Sequence, residues 1–427
     1  MIENVLNDFL NDIYLYLTGE SNVQKGLLVK KHSENLQRHG EFSFPNSIKS
    51  WHQFKKLSGC EDSSLTLLKY LQKDDSDFVN ESKDWHLELI KVKQDKGRIY
   101  MFLNRPKSII IGLRDALNNN NTISRIIKEH TGLVTCDHKS EDDNCLTSLR
   151  LKYLAVAVDR LYRIFAKGKD CPNVFITLSS LQMKEVSHSV LCGTVLNATT
   201  GGKEISIKAD DYIRMRQNEM ILIAQHKYGV RESVQEKWKQ FIDHLGESAV
   251  VFELLQTKPC RAVKVNFECS SAGSSKGAAF VLYNCARLEA LVRSYNEKVD
   301  DGVYPPLPDF DDTDFSLLTH EDEWSLVFNY IMGLPSLLEN CVDISEKTCE
   351  FRPHLICSFL CSMVRVFSQY YRKVRVLTEP RKHLLPVLFA RLHMLKILND
   401  TLKTCLNILN IKSVSQMYIH FYCERSK

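Results

Sequence analysis

Apolar positions along the chain recur at two periods. Residues 1–17 place them at helical spacing, whereas residues 87–102 alternate apolar with polar positions, which predicts strands. Helical spacing returns at 105–117 (RPKSIIIGLRDAL) behind a proline in the first turn, and the Asn118–Asn121 run is expected to end that helix. Residues 132–144 are polar and read as a linker. A helix over 147–166 follows, with Leu149, Tyr153, Val156, Leu161 and Ile164 near its buried face, then a short β-branched strand over 173–178. The stretch SSAGSSKG, 270–277, reads as a flexible lead into a last, all-helical region.

That region predicts helices near 277–297, 320–340, 353–374 and 386–409. In the first, Val281, Cys285, Leu288 and Val292 fall at i, i+4, i+7 and i+11 and form one apolar stripe. The second is expected to start at Thr319, with Asp322 as capping-box partner, and to bury Trp324, Val327, Phe328 and Ile331. Pro353 and Pro386 suit first turns, because proline gives up only an amide that has no helical partner there. The pattern as a whole predicts an α/β front, a mixed middle and an all-α helical bundle at the end.

Composition narrows this little. With 427 residues, 44% hydrophobic and 25% charged, the chain has room for two or three ordinary globular domains. Charge tells more through its distribution. The net charge is +4, yet residues 300–323 carry nine acids and no Lys or Arg, so the rest of the chain carries +4 − (−9) = +13. The acidic stretch reads either as a shield against non-specific polyanions or as a simple connection between helices. A paired-carboxylate active site is a third reading, disfavoured because these acids sit in a Pro-rich loop.

The 14 cysteines include no Cys-x-x-Cys and no four-ligand zinc spacing, so free thiols are expected, Cys357 and Cys361 among them on an apolar helix face. No apolar run reaches 18 residues; the best, 355–364, is ended by Arg365. Residues 1–17 lack a signal-peptide pattern, so the expectation is no membrane and a reducing compartment, the cytoplasm, with the nucleus left open. Phosphate-, dinucleotide- and metal-binding motifs are missing, so no cofactor and no metal is expected.

Candidate chemistry concentrates in two places. Tyr283, Asn284 and Arg287 put a ring, an amide and a guanidinium within one helical turn, the groups that read an unstacked base. A core ring with an ion-paired arginine is the other reading of the same residues. Residues 370–383 (YYRKVRVLTEPRKH) set Tyr370, Tyr371, Arg372, Lys373, Arg375, Arg381 and Lys382 against the single acid Glu379. Cations interleaved with rings suit a nucleic-acid surface, since cations neutralise phosphates and rings stack bases; an ordinary solvated loop is the other reading of the same run.

Three blocks carry a family resemblance: KGAAFVLYNCARL (276–288), FSQYYRKVRVL (367–377) and FARLHMLKIL (389–398, with Arg391). In order and spacing they resemble the DALR anticodon-binding domain of arginyl-tRNA synthetases. GRIYMFLNRPKSIIIGLRDAL, from Gly97, resembles the close of the N-terminal domain of those enzymes, which implies a second contact near the tRNA corner. Residues 188–216 resemble the tail of a class I catalytic domain, with Lys203, Ser206 and Lys208 in the place of the mobile K-M-S-K-S loop.

The companion His-x-Gly-His is missing; His39-Gly40 is followed by Glu41. Only 203 − 118 = 85 residues separate Asn118 from Lys203, too few for several βαβ units of roughly 30 residues each. The resemblance therefore implies an arginyl-tRNA synthetase N-terminal-like domain (1–122), a reduced class I synthetase-like region (145–268) in which Lys203 and Lys208 are surface cations, and a DALR helical domain (276–427). It further implies a catalytically inactive adaptor that recognises arginine tRNAs and delivers them to a methyltransferase-like partner making 3-methylcytidine in the anticodon loop. An active arginine-tRNA ligase and a protein scaffold without RNA binding are the alternatives. The tail after Met417, with Tyr418, Phe421 and Tyr422, departs from the family pattern and its role stays open.

Overall fold

The computed structural model describes residues 2–20, 28–54, 65–129, 132–137, 144–166, 172–181, 186–228, 236–267 and 273–413, without the side chains of 223–228, 236–241 and 273–276. The tail after Met417 lies outside the described residues. Packing divides the chain into two units, each made of separate segments: Met1–Asn119, Pro308–Ser336 and Lys382–Met394 in one, and Asn120–Leu307, Leu337–Arg381 and Leu395–Lys427 in the other.

The first unit is built on a four-stranded antiparallel sheet in the order Lys30–Lys31, Phe42–Pro45, Arg98–Leu103, Leu89–Asp95. The expected alternation is present: Ile99, Met101 and Leu103 are buried, while Arg98, Tyr100 and Phe102 are half-buried on the other face. Helix Val5–Thr18 covers the sheet, its Phe9 ring 5.1 Å from Phe42 and 5.8 Å from Trp85. Asn4 caps its first turn, accepting from the Asn7 amide at 3.2 Å, and Gly19 ends it in a left-handed conformation. Gly40 is required by space as well as by its φ of 64°, since a Cβ there would stand 2.2 Å from the Met101 carbonyl oxygen.

Segment 308–336 joins this unit through a buried carboxylate. Glu41, fully buried, accepts from the Leu103 amide at 2.9 Å, from Arg105 Nε at 3.1 Å and from Trp324 Nε1 at 2.8 Å. Trp324, Val327, Phe328 and Ile331 are buried as their spacing predicts. The cap lies one residue later than Thr319: His320 Nδ1 accepts from the Asp322 amide and Glu323 returns a bond to the His320 amide. After Glu321–Ser325 the helix widens to a π-helix over Leu326–Ile331.

The second unit holds a three-stranded parallel sheet, Val134–Cys136, Val174–Thr177 and Ser189–Leu191, with helix Leu146–Phe165 as the crossover between the first two strands. A separate parallel pair joins Val195–Asn197 to Val263–Val265. The expected linker thus contributes a strand, because Val134 and Cys136 find a neighbour in the 174–177 strand that local polarity could not announce. On helix 146–165 Leu161 and Ile164 are buried, but Leu149, Tyr153 and Val156 are only half-buried, and Arg150 is buried among the apolar positions. Helices Ala209–Tyr228, Glu236–Leu255, Gly273–Asp300 and His354–Lys373 complete the unit with the last part of Leu385–Ile408.

Two breaks expected from sequence are absent. Helix Arg105–Lys128 passes straight through the asparagine run, since Asn119 exchanges bonds with Glu3 (2.9 and 2.8 Å) and Asn120 pairs with the hydroxyls of Thr401 and Thr404 (3.2 and 2.9 Å). Their amides, bonded elsewhere, do not compete with the helix backbone. Within SSAGSSKG, residues 270–272 lie outside the described residues; the glycines are helical and not part of a flexible lead, since Gly273 opens the 273–300 helix and Gly277 lies inside it, 3.7 Å from Cys361 Sγ at the position a Cβ would take.

Candidate nucleic-acid interface

Helix 273–300 buries Val281, Cys285 and Leu288 and holds Tyr283 and Arg287 half-buried to one side. Helix 354–373 presents its last turn to the same place. Its stripe of Ile356, Leu360, Met363, Val364 and Phe367 ends on Tyr370, with no exposed surface, whereas Tyr371, one residue on and so about 100° round the helix, is 38% exposed. The Arg287 guanidinium lies 4.4 Å from the Tyr283 ring and 4.8 Å from the Tyr371 ring, and also donates to the Tyr283 hydroxyl. Phe367, 5.8 Å from Tyr371, backs the cluster. Each ring–cation contact contributes about 0.5–2 kcal/mol and orders both partners.

Beyond this cluster Arg372, Lys373 and Arg375 are exposed. The connection they begin is anchored at a point the sequence reading missed. Tyr304 is buried, donates to the Thr378 carbonyl and stacks on Tyr295 at 5.5 Å, while the Tyr295 hydroxyl donates to Pro305 O at 2.7 Å. Burial pushes the Tyr304 hydroxyl's pKa up, with nearby Arg375 opposing. Val376 is buried as a second anchor. The Pro305-Pro306 pair after Tyr304 was the available signal, since it stiffens the segment that carries the ring.

Three residues expected at an RNA surface are structural. Tyr370 is core. Asn284 falls on the buried 281–285–288 face, has no exposed surface, and its Nδ2 donates to Phe280 O at 2.8 Å. Arg391, in the other unit, donates through Nε to Glu323 at 2.7 Å, and that carboxylate is fully buried, so the cation is tied inside. Arg381 pairs with Glu379 at 2.6 Å on the surface, and Lys382 is exposed in the other unit. The segment with Lys203, Ser206 and Lys208 is a bonded turn with both lysines exposed; the Ser206 amide donates to Glu204 at 2.7 Å. Among the described residues no group of three or more His, Cys, Asp or Glu is placed to hold a metal, and no helix is long and apolar enough to cross a membrane.

The fold is arginyl-tRNA synthetase-like, and the family model of the DALR anticodon-binding domain matches residues 281–417. The arginyl-tRNA synthetase of Thermus thermophilus superposes with a TM-score of 0.53 at 12% identity, covering 97% of this chain and 100% of that one. More particular is the similarity to DALR anticodon-binding domain-containing protein 3. The Danio rerio protein is 34% identical over 236 residues, covering 53% of this chain and 41% of that protein, and the Rattus norvegicus protein is 32% identical over 239 residues, 55% and 44%. The matched stretch therefore spans less than half the length of each of these curated relatives.

Proposed function

We propose that this chain is a non-catalytic tRNA-binding adaptor, which grips arginine tRNA by the anticodon arm and presents it to a partner methyltransferase that forms 3-methylcytidine in the anticodon loop, in the cytoplasm. The observation that carries the proposal is Arg287 held between Tyr283 and Tyr371, with Arg372, Lys373 and Arg375 exposed beside them in the matched domain. The cations attract the phosphates of the loop and release their counterions. The open side of Tyr371 accepts an unstacked base, at about 1–3 kcal/mol per stacked base, and Arg287 fixes the ring before RNA arrives.

Methyl transfer belongs to the partner in this reading. Support for a non-catalytic chain is the lack of a His-x-Gly-His tetrad in the sequence and a loop at 203–208 whose acid, Glu204, is committed to the turn itself. The test is reconstitution: purified chain, partner methyltransferase, methyl donor, and arginine tRNA or an unrelated tRNA. The proposal expects methylation of arginine tRNA only when the chain is present, and no ATP-dependent charging by the chain alone. Methylation indifferent to the chain, or charging by it, would overturn the proposal.

A further inference from the structure

The stretch that carries the exposed cations has few bonds of its own. Residues 374–381 form no helix or strand, and two of their hydrogen bonds are local: the Val374 amide to Tyr370 O at 2.9 Å and the Arg381 amide to Glu379 O at 2.8 Å. Among the described residues a single hydrogen bond ties the stretch to another part of the fold, the one that the Tyr304 hydroxyl donates to the Thr378 carbonyl. Val376, 3% exposed, is the one buried side chain of the stretch. Tyr304 is itself fixed on several sides. Its amide and that of Val303 donate to Lys298 O at 3.0 and 2.8 Å, its ring stacks on Tyr295 with 21° between the planes, and Lys298 Nζ lies 5.4 Å from the ring centre.

Both ends of the cationic run are thus tied to one helix. Tyr371 lies against Arg287, and Thr378 is held through Tyr304 to Lys298, with 287 and 298 about 16 Å apart along the axis of helix 273–300. Between these anchors, residues 371–378 (YRKVRVLT) carry Arg372, Lys373 and Arg375 and no acid. Arg372 and Lys373 are placed by the last turn of helix 354–373. Arg375 lies past its end, has no ion-pair partner among the described residues, and stands near enough for its charge to act on the Tyr304 hydroxyl. We infer that Tyr304 is a positioning residue for tRNA binding: its bond to Thr378 sets Arg375 beside Arg372 and Lys373, so that three cations are in place before the phosphates of the loop arrive; this deepens the adaptor reading and rests on it. Order present before binding lowers the ordering cost of association. The hydroxyl itself meets no phosphate, so its removal changes affinity without changing how many phosphates are neutralised.

The test measures affinity for arginine tRNA over a range of salt concentrations, with urea midpoints alongside, for wild type, Tyr304→Phe, Arg375→Ala, the double variant and Tyr162→Phe. Tyr162 supplies a bond of the same kind outside the cationic run, since its buried side chain donates to Pro172 O at 2.6 Å. The inference expects Tyr304→Phe, which keeps the stacked ring, to weaken tRNA binding about three- to ten-fold with the slope of log affinity against log salt unchanged. Arg375→Ala should reduce that slope by about 0.7–0.9. Adding Tyr304→Phe to Arg375→Ala should weaken binding less than about two-fold further, because the hydroxyl acts through the arginine. Tyr162→Phe should keep wild-type tRNA affinity whatever it does to the urea midpoint. Wild-type affinity in Tyr304→Phe, a full loss that persists without Arg375, or an equal loss in Tyr162→Phe would each overturn the positioning role and leave the adaptor reading standing. No tRNA binding by wild type would overturn the adaptor reading, and the positioning role with it.

Discussion

Two arginines of the same unit have opposite surroundings. Arg150, 1% exposed, donates to five backbone carbonyls: Leu254 (3.1 Å), Gly193 (2.6 Å), Arg261 (2.7 Å), Thr257 (3.4 Å) and Lys258 (3.3 Å). It thereby ties the end of helix 236–255 and the turn after it to the 189–195 segment, and burial pulls its pKa down. Arg287 is half-buried, lies against two rings and neighbours a surface where Arg372 and Arg375 are exposed. A guanidinium with every N–H turned inward holds a fold. One fixed by rings at the rim, with exposed neighbours, is placed to meet a ligand. The difference lies in which donors are already committed, a property of three-dimensional surroundings and not of residue type.

Substitutions at the two arginines are expected to have opposite consequences. Arg150→Met removes a buried guanidinium and all five of its bonds to backbone carbonyls, and should cost about 3–5 kcal/mol, read as a lower urea midpoint, with tRNA affinity per folded molecule unchanged. Arg287→Ala combined with Tyr371→Ala should weight the two readouts the other way: tRNA affinity falls about ten-fold or more, while stability falls only by the roughly 1–2 kcal/mol of two partly exposed ring–cation contacts. A double variant that lost stability and kept tRNA would make Arg287 a structural residue.

Asp115 makes stability depend on pH. Burial, then nearby Glu3 and Asp8, push its carboxyl up to about 6, above the roughly 3.9 of an unfolded chain. The folded state therefore binds the proton more tightly, and that stabilisation is complete below pH ~4 and lost as pH rises through about 6. Asp115→Asn is expected to raise stability by about 1–2 kcal/mol at pH 7.5 and by nothing measurable near pH 4, in paired melts. The smallest effect belongs to a single exposed cation. Arg372→Ala should weaken tRNA binding a few-fold and reduce the slope of log affinity against log salt by about 0.7–0.9.

Much of the architecture was legible because it depends on local periodicity. Alternation at Ile99, Met101 and Leu103 marks a strand, and Pro353 and Pro386 mark helix starts at 354 and 385. Part of the site was legible too: the 281–285–288 stripe already puts Asn284 on the buried face, and carrying the 360–363–364–367 stripe one turn further separates buried Tyr370 from exposed Tyr371. What stayed hidden depends on partners remote in sequence. Arg391 is committed to Glu323, 68 residues away, and Asn120 to Thr401 and Thr404, more than 280 away, and nothing near either residue signals the pairing. The same holds for Tyr304, whose bond to Thr378 pins the basic connection.

The most direct test is a titration of the purified chain, wild type and Arg287→Ala/Tyr371→Ala, with arginine tRNA and an unrelated tRNA at low and moderate salt. The adaptor reading predicts that wild type prefers arginine tRNA, that its affinity drops as salt rises, and that the variant loses the preference while remaining folded. Equal, salt-insensitive affinity of wild type for both tRNAs, or a variant that keeps full preference, would contradict it.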